Sequence, residues 1–288
     1  MILTVTLNTA LDITYRVREL RPHASHRVSE VTVTGFSGGA TGRIVQDQLT
    51  GTPGVLDALV PVSGATRRTI AVVDDRTGDT TQLNEPGPTV TPAEWTAFQE
   101  AYESLLAGGI SAVALCGSLP PGLPVGAYAG LIRTARTAGV PVLLDTSGEP
   151  LRRGVAARPD ILKPNTDELA ELTGSHDPSR ATPDARRRGA RTVVASLGAK
   201  GLLAATPEGT WHATPPSRVH GNPTGAGDSA VAGLLSGLAD RLPWPDRLAR
   251  AVALSAATVL APVAGEFDRA AYEELLGRVA VTGEVSAA

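Results

Sequence analysis

The spacing of apolar positions along this chain changes several times, and each change marks an element. Ile2–Asn8, Ala112–Cys116, Val140–Asp145, Asp160–Lys163 and Thr192–Leu197 are short apolar or alternating runs rich in β-branched residues, the pattern of strands. Elsewhere the period lengthens to three and four. Thr41–Leu49, Pro92–Leu106, Gly126–Ala138, Thr166–Thr173, Gly227–Asp240, Pro245–Leu260 and Arg269–Val279 read as helices. Strands that end in Gly, Asn or Asp and run into helices are βα units, which predicts an α/β fold whose mostly parallel sheet carries helices on both faces. Ligands of such sheets gather at the carboxyl ends of the strands.

Two segments depart from this rhythm. Arg27–Val33 alternates, and Thr69–Asp74 with Thr80–Asn84 form a hairpin candidate around Arg76-Thr77-Gly78. They predict a small β element set apart from the α/β core, a lid. No internal repeat or low-complexity linker divides the remainder. One domain over residues 1–288 is therefore expected, with lid segments at about 12–34 and 66–90 inserted in it.

Composition narrows the function classes. Hydrophobic residues make up 42% and mean hydropathy is +0.02, as in ordinary globular proteins. A net charge of −3 offers no basic field for nucleic acid or acidic lipid, and Arg186-Arg187-Arg188 reads as a solvated helix end. The single Cys116 lies in an apolar run and fits a buried thiol in a reducing compartment. The first seven residues alternate like a strand and lack a basic leader, and no later apolar run is long enough to span a membrane. A cytoplasmic protein is expected, with small-molecule partners rather than nucleic acid or membrane.

The most informative stretch is Asn222-Pro223-Thr224-Gly225-Ala226-Gly227-Asp228-Ser229, which leads into the apolar run Ala230–Leu235. A Gly-rich turn opening a buried helix aims free N–H groups and the positive end of the helix dipole at one point, and such a point binds phosphate. Asp228 in the first turn can take a proton from a hydroxyl attacking that phosphate; taken alone, the motif fits a capping Asp equally well. Lys163-Pro164-Asn165 with Glu168 sits where a strand gives way to a helix. There Lys163 can meet phosphate, and Asn165 and Glu168 can hold waters of a hydrated Mg²⁺, although a capped helix with exposed polar residues explains the same letters. Ser196-Leu197-Gly198-Ala199-Lys200-Gly201 is a second strand-end Gly turn. All three lie at carboxyl ends of predicted strands.

A competing signal is Gly35-Phe36-Ser37-Gly38-Gly39, which matches the nucleophile elbow of serine hydrolases, with Asp145 and His212 or His220 following in triad order. It comes after only two strand candidates, too early for such a sheet, and short Gly patterns recur by chance among 31 glycines.

Taken in series, these residues resemble the ribokinase-like sugar kinases, specifically the phosphofructokinase B branch that includes 1-phosphofructokinase and tagatose-6-phosphate kinase. Ile2 to Asp12 is similar to the family's opening strand and substrate loop, with Thr9 where Pro is usual. Leu83-Asn84-Glu85-Pro86-Gly87-Pro88, Cys116-Gly117-Ser118-Leu119-Pro120-Pro121-Gly122, Lys163-Pro164-Asn165-x-x-Glu168, Ser196–Gly201 and Thr224–Asp228 follow in family order. The resemblance implies a three-layer α/β/α core with a β lid, ATP and Mg²⁺ as cofactors, and phosphorylation of a hexose phosphate such as fructose 1-phosphate or tagatose 6-phosphate. It implies Asp228 as the base and Gly225, Ala226 and Gly227 as the anion hole. Lys163, Asn165, Glu168, Ser196, Gly198, Gly201 and Thr224 would serve the nucleotide, with Asn165 and Glu168 on Mg²⁺ through water. Asp12 would hold sugar hydroxyls, Arg27 and Arg67 the phosphate already on the sugar, and Gly38 and Gly39 a turn at the substrate. A homodimer through the lid is expected, as in the family. One departure stands out: Thr32-Val33-Thr34 runs straight into Gly35-Phe36-Ser37-Gly38-Gly39, where the family first has a G-G-K-G-x-N segment and its helix. That loss implies weakened sugar binding, and a non-catalytic binding relative is the alternative reading.

Overall fold

The structure is a computed structural model that describes residues 1–14, 31–73, 80–261 and 266–285. The chain is α/β, with mostly parallel strands flanked by helices, and it forms two compact units, Met1–Ile110 with Cys116–Ala127, and Ser111–Leu115 with Tyr128–Ala288.

The first unit contains β1 (Ile2–Thr6), β2 (Ala10–Thr14), β3 (Val31–Ser37), α1 (Gly39–Thr50), β4 (Val55–Asp57), β5 (Val60–Pro61), β6 (Arg67–Val73), β7 (Thr80–Asn84) and α2 (Pro92–Ala107). β3 is its centre. It runs parallel to β1, with Ile2 opposite Val31 and Thr6 opposite Gly35, and parallel also to β4 and β5. A separate three-stranded sheet joins β2, β6 and β7, with Asp12 opposite Thr69 and Thr69 opposite Asn84. The β6–β7 pair is the expected hairpin, and one segment expected beside it lies elsewhere. Val31–Val33, assigned to the lid from its alternation, belongs to the α/β sheet, because period two looks the same in either sheet.

Helix α2 shows how local sequence fixes position. Pro92 supplies a preset first helical residue. Thr91 and Glu94 close a capping box in which the Glu94 N–H donates to the Thr91 hydroxyl and the Thr91 N–H donates to Glu94. Phe98, Tyr102 and Leu106 then recur at a spacing of four and are buried, with the Phe98 ring 5.1 Å from that of Phe36 on β3.

The second unit contains β8 (Ala112–Cys116), α3 (Ala127–Thr137), β9 (Val142–Asp145), α4 (Gly148–Ala156), β10 (Ile161–Leu162), α5 (Thr166–Thr173), α6 (Pro178–Arg187), β11 (Thr192–Ser196), β12 (Leu202–Ala205), β13 (Gly209–Thr214), α7 (Ala226–Ala239), α8 (Trp244–Leu260), α9 (Arg269–Leu276) and β14 (Ala280–Val285). β9, β10 and β11 are parallel, and β12, β13 and β14 extend the sheet antiparallel. Val142–Leu144 and Val193–Ala195 are buried on both faces, which explains why these strands read as unbroken apolar runs. α7 lies close against α8: a side chain at Gly233 would begin 2.6 Å from the Ala251 Cα. That approach fixes the helix whose N-terminus carries Asp228.

Candidate active site

The site in the second unit is assembled from three strand ends, those of β9, β10 and β11, and two helix starts, those of α5 and α7. Gly225 caps α7 in the left-handed conformation (φ +85°) and offers no side-chain oxygen to the helix. The first N–H groups of a helix lack intrahelical acceptors, so this end is open to an anion. The Ala226 N–H donates to the Pro223 carbonyl and that of Thr224 to the Asn222 side chain, which fixes the turn from behind. Asp228 stands in the first turn and is exposed.

Lys163 follows β10 and is buried, its side chain only 5% exposed. Its ammonium lies 3.0 Å from Asp145 Oδ2, at the end of β9. A Cβ placed on Gly227 would be 3.8 Å from that ammonium, so Lys163 reaches the N-terminus of α7. Burial pushes the Asp145 carboxyl up to about 6 against the pull of Lys163, and the charges of Asp228 and Glu168 push the same way. These four charged groups therefore act on one another.

Asn165 and Glu168 form a complete capping box at α5. Asn165 Oδ1 accepts from the N–H groups of Asp167 and Glu168, and Glu168 Oε2 accepts from that of Asn165. The capped-helix explanation of these letters therefore holds for the chain as it stands. Ser196 ends β11 beside Asn165, its N–H donating to the Pro164 carbonyl. Gly198–Lys200 make one tight 3₁₀ turn between Leu197 and Gly201. Gly201 has φ +83°, and a Cβ there would meet the Ala213 carbonyl at 2.0 Å, so no other residue fits.

These pieces line a cavity of about 640 Å³. Asn165, Ser196, Gly198, Gly201, Ala226 and Gly227 edge it, and Leu202, Ala230, Val252, Ala256 and Val259 give it an apolar wall. An apolar slot with a few convergent polar groups and an anion-binding helix end suits a flat base attached to phosphates. The structure thus brings most of the predicted nucleotide residues to one place. Arg218, His220 and Ser255 also line the cavity. Sequence reasoning passed over Arg218 and Ser255, because a loop Arg and a helical Ser carry no distinctive pattern, and named His220 only for the competing hydrolase reading.

The first unit holds the other candidates. The Asn8 amide donates to the Pro86 carbonyl and the Ser118 hydroxyl, while Arg67 donates to the carbonyls of Asn8 and Glu85. Gly87 (φ +89°) allows this closeness, since a Cβ there would sit 2.1 Å from Asn8 Oδ1. The Gly38 N–H donates to the Thr66 hydroxyl, and Gly39 (φ +66°) opens α1. Asp12 is placed on β2, and Arg27 lies outside the described residues. Asn8 and Ser118, quoted for their motifs and given no role, prove to be the link between these loops.

The hydrolase reading finds no support. Ser37 is the last residue of β3, buried, with its hydroxyl unpartnered. Asp145 is paired with Lys163, and His212 Nε2 sits 3.0 Å from the Lys200 carbonyl. Among the described residues no cluster of three or more His, Cys, Asp and Glu could hold a metal, and no helix is long and apolar enough to cross a membrane.

The family described as pfkB family carbohydrate kinase matches residues 23–269. A 1-phosphofructokinase of Rhodobacter capsulatus is 36% identical over 290 aligned positions, covering 91% of this chain and 92% of that protein. The structure of phosphofructokinase-2 from Escherichia coli in complex with substrates and products superposes with a TM-score of 0.82 at 25% identity, over 96% of this chain and 98% of the other. The tetrameric inhibited form of the same enzyme gives 0.81 at 24% identity over the same shares of each chain.

Proposed function

The chain belongs to the pfkB family of carbohydrate kinases, and from that premise we propose that it transfers the γ-phosphoryl group of ATP to a hydroxyl of fructose 1-phosphate, giving the bisphosphate. The broader activity, ATP-dependent phosphorylation of a hexose phosphate, rests on the 1-phosphofructokinase relative at 36% identity across nine-tenths of both chains. The choice of fructose 1-phosphate over tagatose 6-phosphate is taken from that relative. The observation that carries the mechanism is the left-handed Gly225 turn at the start of α7, with Asp228 in the first turn and the Lys163 ammonium beside Gly227.

In this mechanism Asp228 accepts the proton of the attacking hydroxyl as its oxygen bonds to the γ-phosphorus. The bond to the bridging oxygen breaks, and ADP departs. A base of this kind contributes about 10²–10⁴ in rate, or roughly 3–5 kcal/mol. The Gly225 and Gly227 N–H groups of the turn, whose Ala226 N–H is turned back to Pro223, and the Lys163 ammonium stabilise charge on the transferring group. Ser196, Gly198 and Gly201 border the cavity that takes the nucleotide.

Mg²⁺ fits here only as an ion carried by the nucleotide. The described residues offer no cluster of ligands, and Asn165 Oδ1 and Glu168 Oε2 are already engaged in the α5 cap. Asn165 and Glu168 would then meet its waters, and the ion would supply charge neutralisation on the phosphates.

On the sugar side, Arg67, Asp12, Gly38 and Gly39 remain as the binding groups we assign. Loss of the substrate segment we infer to be missing between Thr34 and Gly35 would weaken sugar binding. Assembly as a homodimer through the sheet of β2, β6 and β7 is part of this proposal, as is a cytoplasmic setting. A coupled ADP-release assay with fructose 1-phosphate, tagatose 6-phosphate and fructose 6-phosphate tests the reading. Turnover highest with fructose 1-phosphate supports it; ADP release with none of the three overturns it.

A further inference from the structure

Asp145 takes no part in the mechanism above, yet its carboxylate lies 3.0 Å from the buried ammonium of Lys163. Stability does not account for the pair. Desolvating two charges offsets most of their attraction, and a well-packed apolar pair often does as well. Location is more informative. The ammonium abuts Gly227 at the N-terminus of α7, where the helix dipole is already positive. Two positive features side by side repel unless an anion lies between them or a counter-charge restrains one of them. Asp145 is that counter-charge, fixed at the end of β9 by the sheet.

The residue type points the same way. The chain uses twenty-four arginines and two lysines, Lys163 and Lys200. A compact ammonium fits between Asp145 and Gly227. A guanidinium is broader and would take the carboxylate as a fork, turning away from the helix end.

We propose that Asp145 is a positioning residue for phosphoryl transfer, holding the Lys163 ammonium against the Gly225–Gly227 turn so that the transferring phosphate meets a cation already desolvated and aimed. This inference rests on the kinase reading. It predicts a particular kinetic split. In Asp145→Asn the ammonium loses its counter-charge and attracts nucleotide at least as well, so KM for Mg·ATP does not rise, while kcat falls about 10- to 100-fold because the cation is no longer aimed. Lys163→Arg keeps the charge and loses kcat by a similar factor. Lys163→Met loses kcat and weakens Mg·ATP binding about tenfold or more.

The deciding experiment is a double-mutant cycle. If Asp145 acts through Lys163, adding Asp145→Asn to Lys163→Met changes kcat less than about twofold. A further tenfold loss in that background would show Asp145 acting directly on the phosphates or their ion, and would overturn the proposal. Asp145→Asn/Lys163→Met is uncharged and of similar volume, and circular dichroism checks that every variant is folded. A second readout does not depend on turnover. With only two lysines, ¹⁵N-lysine-labelled protein gives two side-chain ammonium signals. The Lys163 signal should be slow to exchange, should shift with a non-hydrolysable Mg·ATP analogue, and should move or broaden in Asp145→Asn. An unchanged Lys163 signal in that variant contradicts the proposal even if no sugar phosphate is turned over, whereas absent turnover with the expected signal changes counts against the kinase reading alone.

Discussion

Gly225→Ala probes the anion-binding turn at one atom. Gly225 holds φ +85° and ψ −8° as the cap of α7, a conformation that costs a residue with a Cβ roughly 1–2 kcal/mol. Alanine also narrows the unfolded ensemble and returns about 0.4–1 kcal/mol, so the expected net loss is about 1 kcal/mol. For a chain of this size that lowers Tm by about 2–4 °C. The catalytic loss should be larger than the thermal one. If the backbone relaxes, the turn's N–H groups swing off the transferring phosphate, and losing one such donor costs about 10²–10³ in kcat, roughly 3–4 kcal/mol. Gly227→Ala is the control: its Cβ would lie 3.8 Å from the Lys163 ammonium, an ordinary contact, in a helical conformation that any residue adopts. It should leave Tm unchanged within a degree or so and lower kcat less. Differential scanning fluorimetry and steady-state kinetics on both variants suffice. If Gly225→Ala keeps both Tm and kcat, the turn is not the anion hole.

Other outcomes follow from the same structure. Thr91→Ala breaks the capping box of α2 and should cost about 1 kcal/mol in urea unfolding, whereas a cost near zero would mean that the box contributes nothing. Glu94 accepts hydrogen bonds from the N–H groups of Thr91 and Ser63, which hold its carboxyl down at about 2, below its ordinary 4.5. Because the folded value is depressed, its stabilisation is complete above about 4.5 and is lost as pH falls from there toward 2. Glu94→Gln should therefore unfold at lower urea than the wild type at pH 7, with the gap closing as pH falls through that window; a gap independent of pH would exclude this linkage. Fluorophosphonate probes should leave Ser37 unlabelled, since its hydroxyl is buried in β3; stoichiometric labelling with loss of activity would revive the hydrolase reading. Mg·ATP should bind measurably by calorimetry, with a KM for fructose 1-phosphate well above the usual enzyme range. A lost Lys and Asn remove about 2–4 kcal/mol, or about 30- to 1,000-fold, so a micromolar KM would show that other residues fill the gap.

How much of this was legible in the sequence depended on whether the signal was local. β8 and α5 were bounded as observed, because an unbroken apolar run and an Asn165–Glu168 cap are each written in consecutive residues. α7 was placed within a residue by its Gly-rich entry. β14 was missed because Thr282-Gly283-Glu284 looks like a turn, yet Gly283 is there to admit the Trp211 ring, 2.1 Å from where a Cβ would be. α6 was missed because Pro178 and Pro183 read as breakers, although Pro178 at the first helical position is favourable. The site followed the same rule. Each strand-end motif could be named, but the Lys163–Asp145 pair joins two strands, and only the sheet register brings it together. Asn8 and Ser118 meet for a similar reason, through loops far apart in sequence.

The most direct test of the account compares wild type with Asp228→Asn in one preparation, measuring Mg·ATP affinity by calorimetry and ADP release with fructose 1-phosphate. The account predicts nucleotide affinity within about threefold of wild type and kcat lower by about 10²–10⁴, the loss of a general base. Full kcat in the Asn variant would mean that another group takes the proton, and the site assigned here would not be the one that does the chemistry.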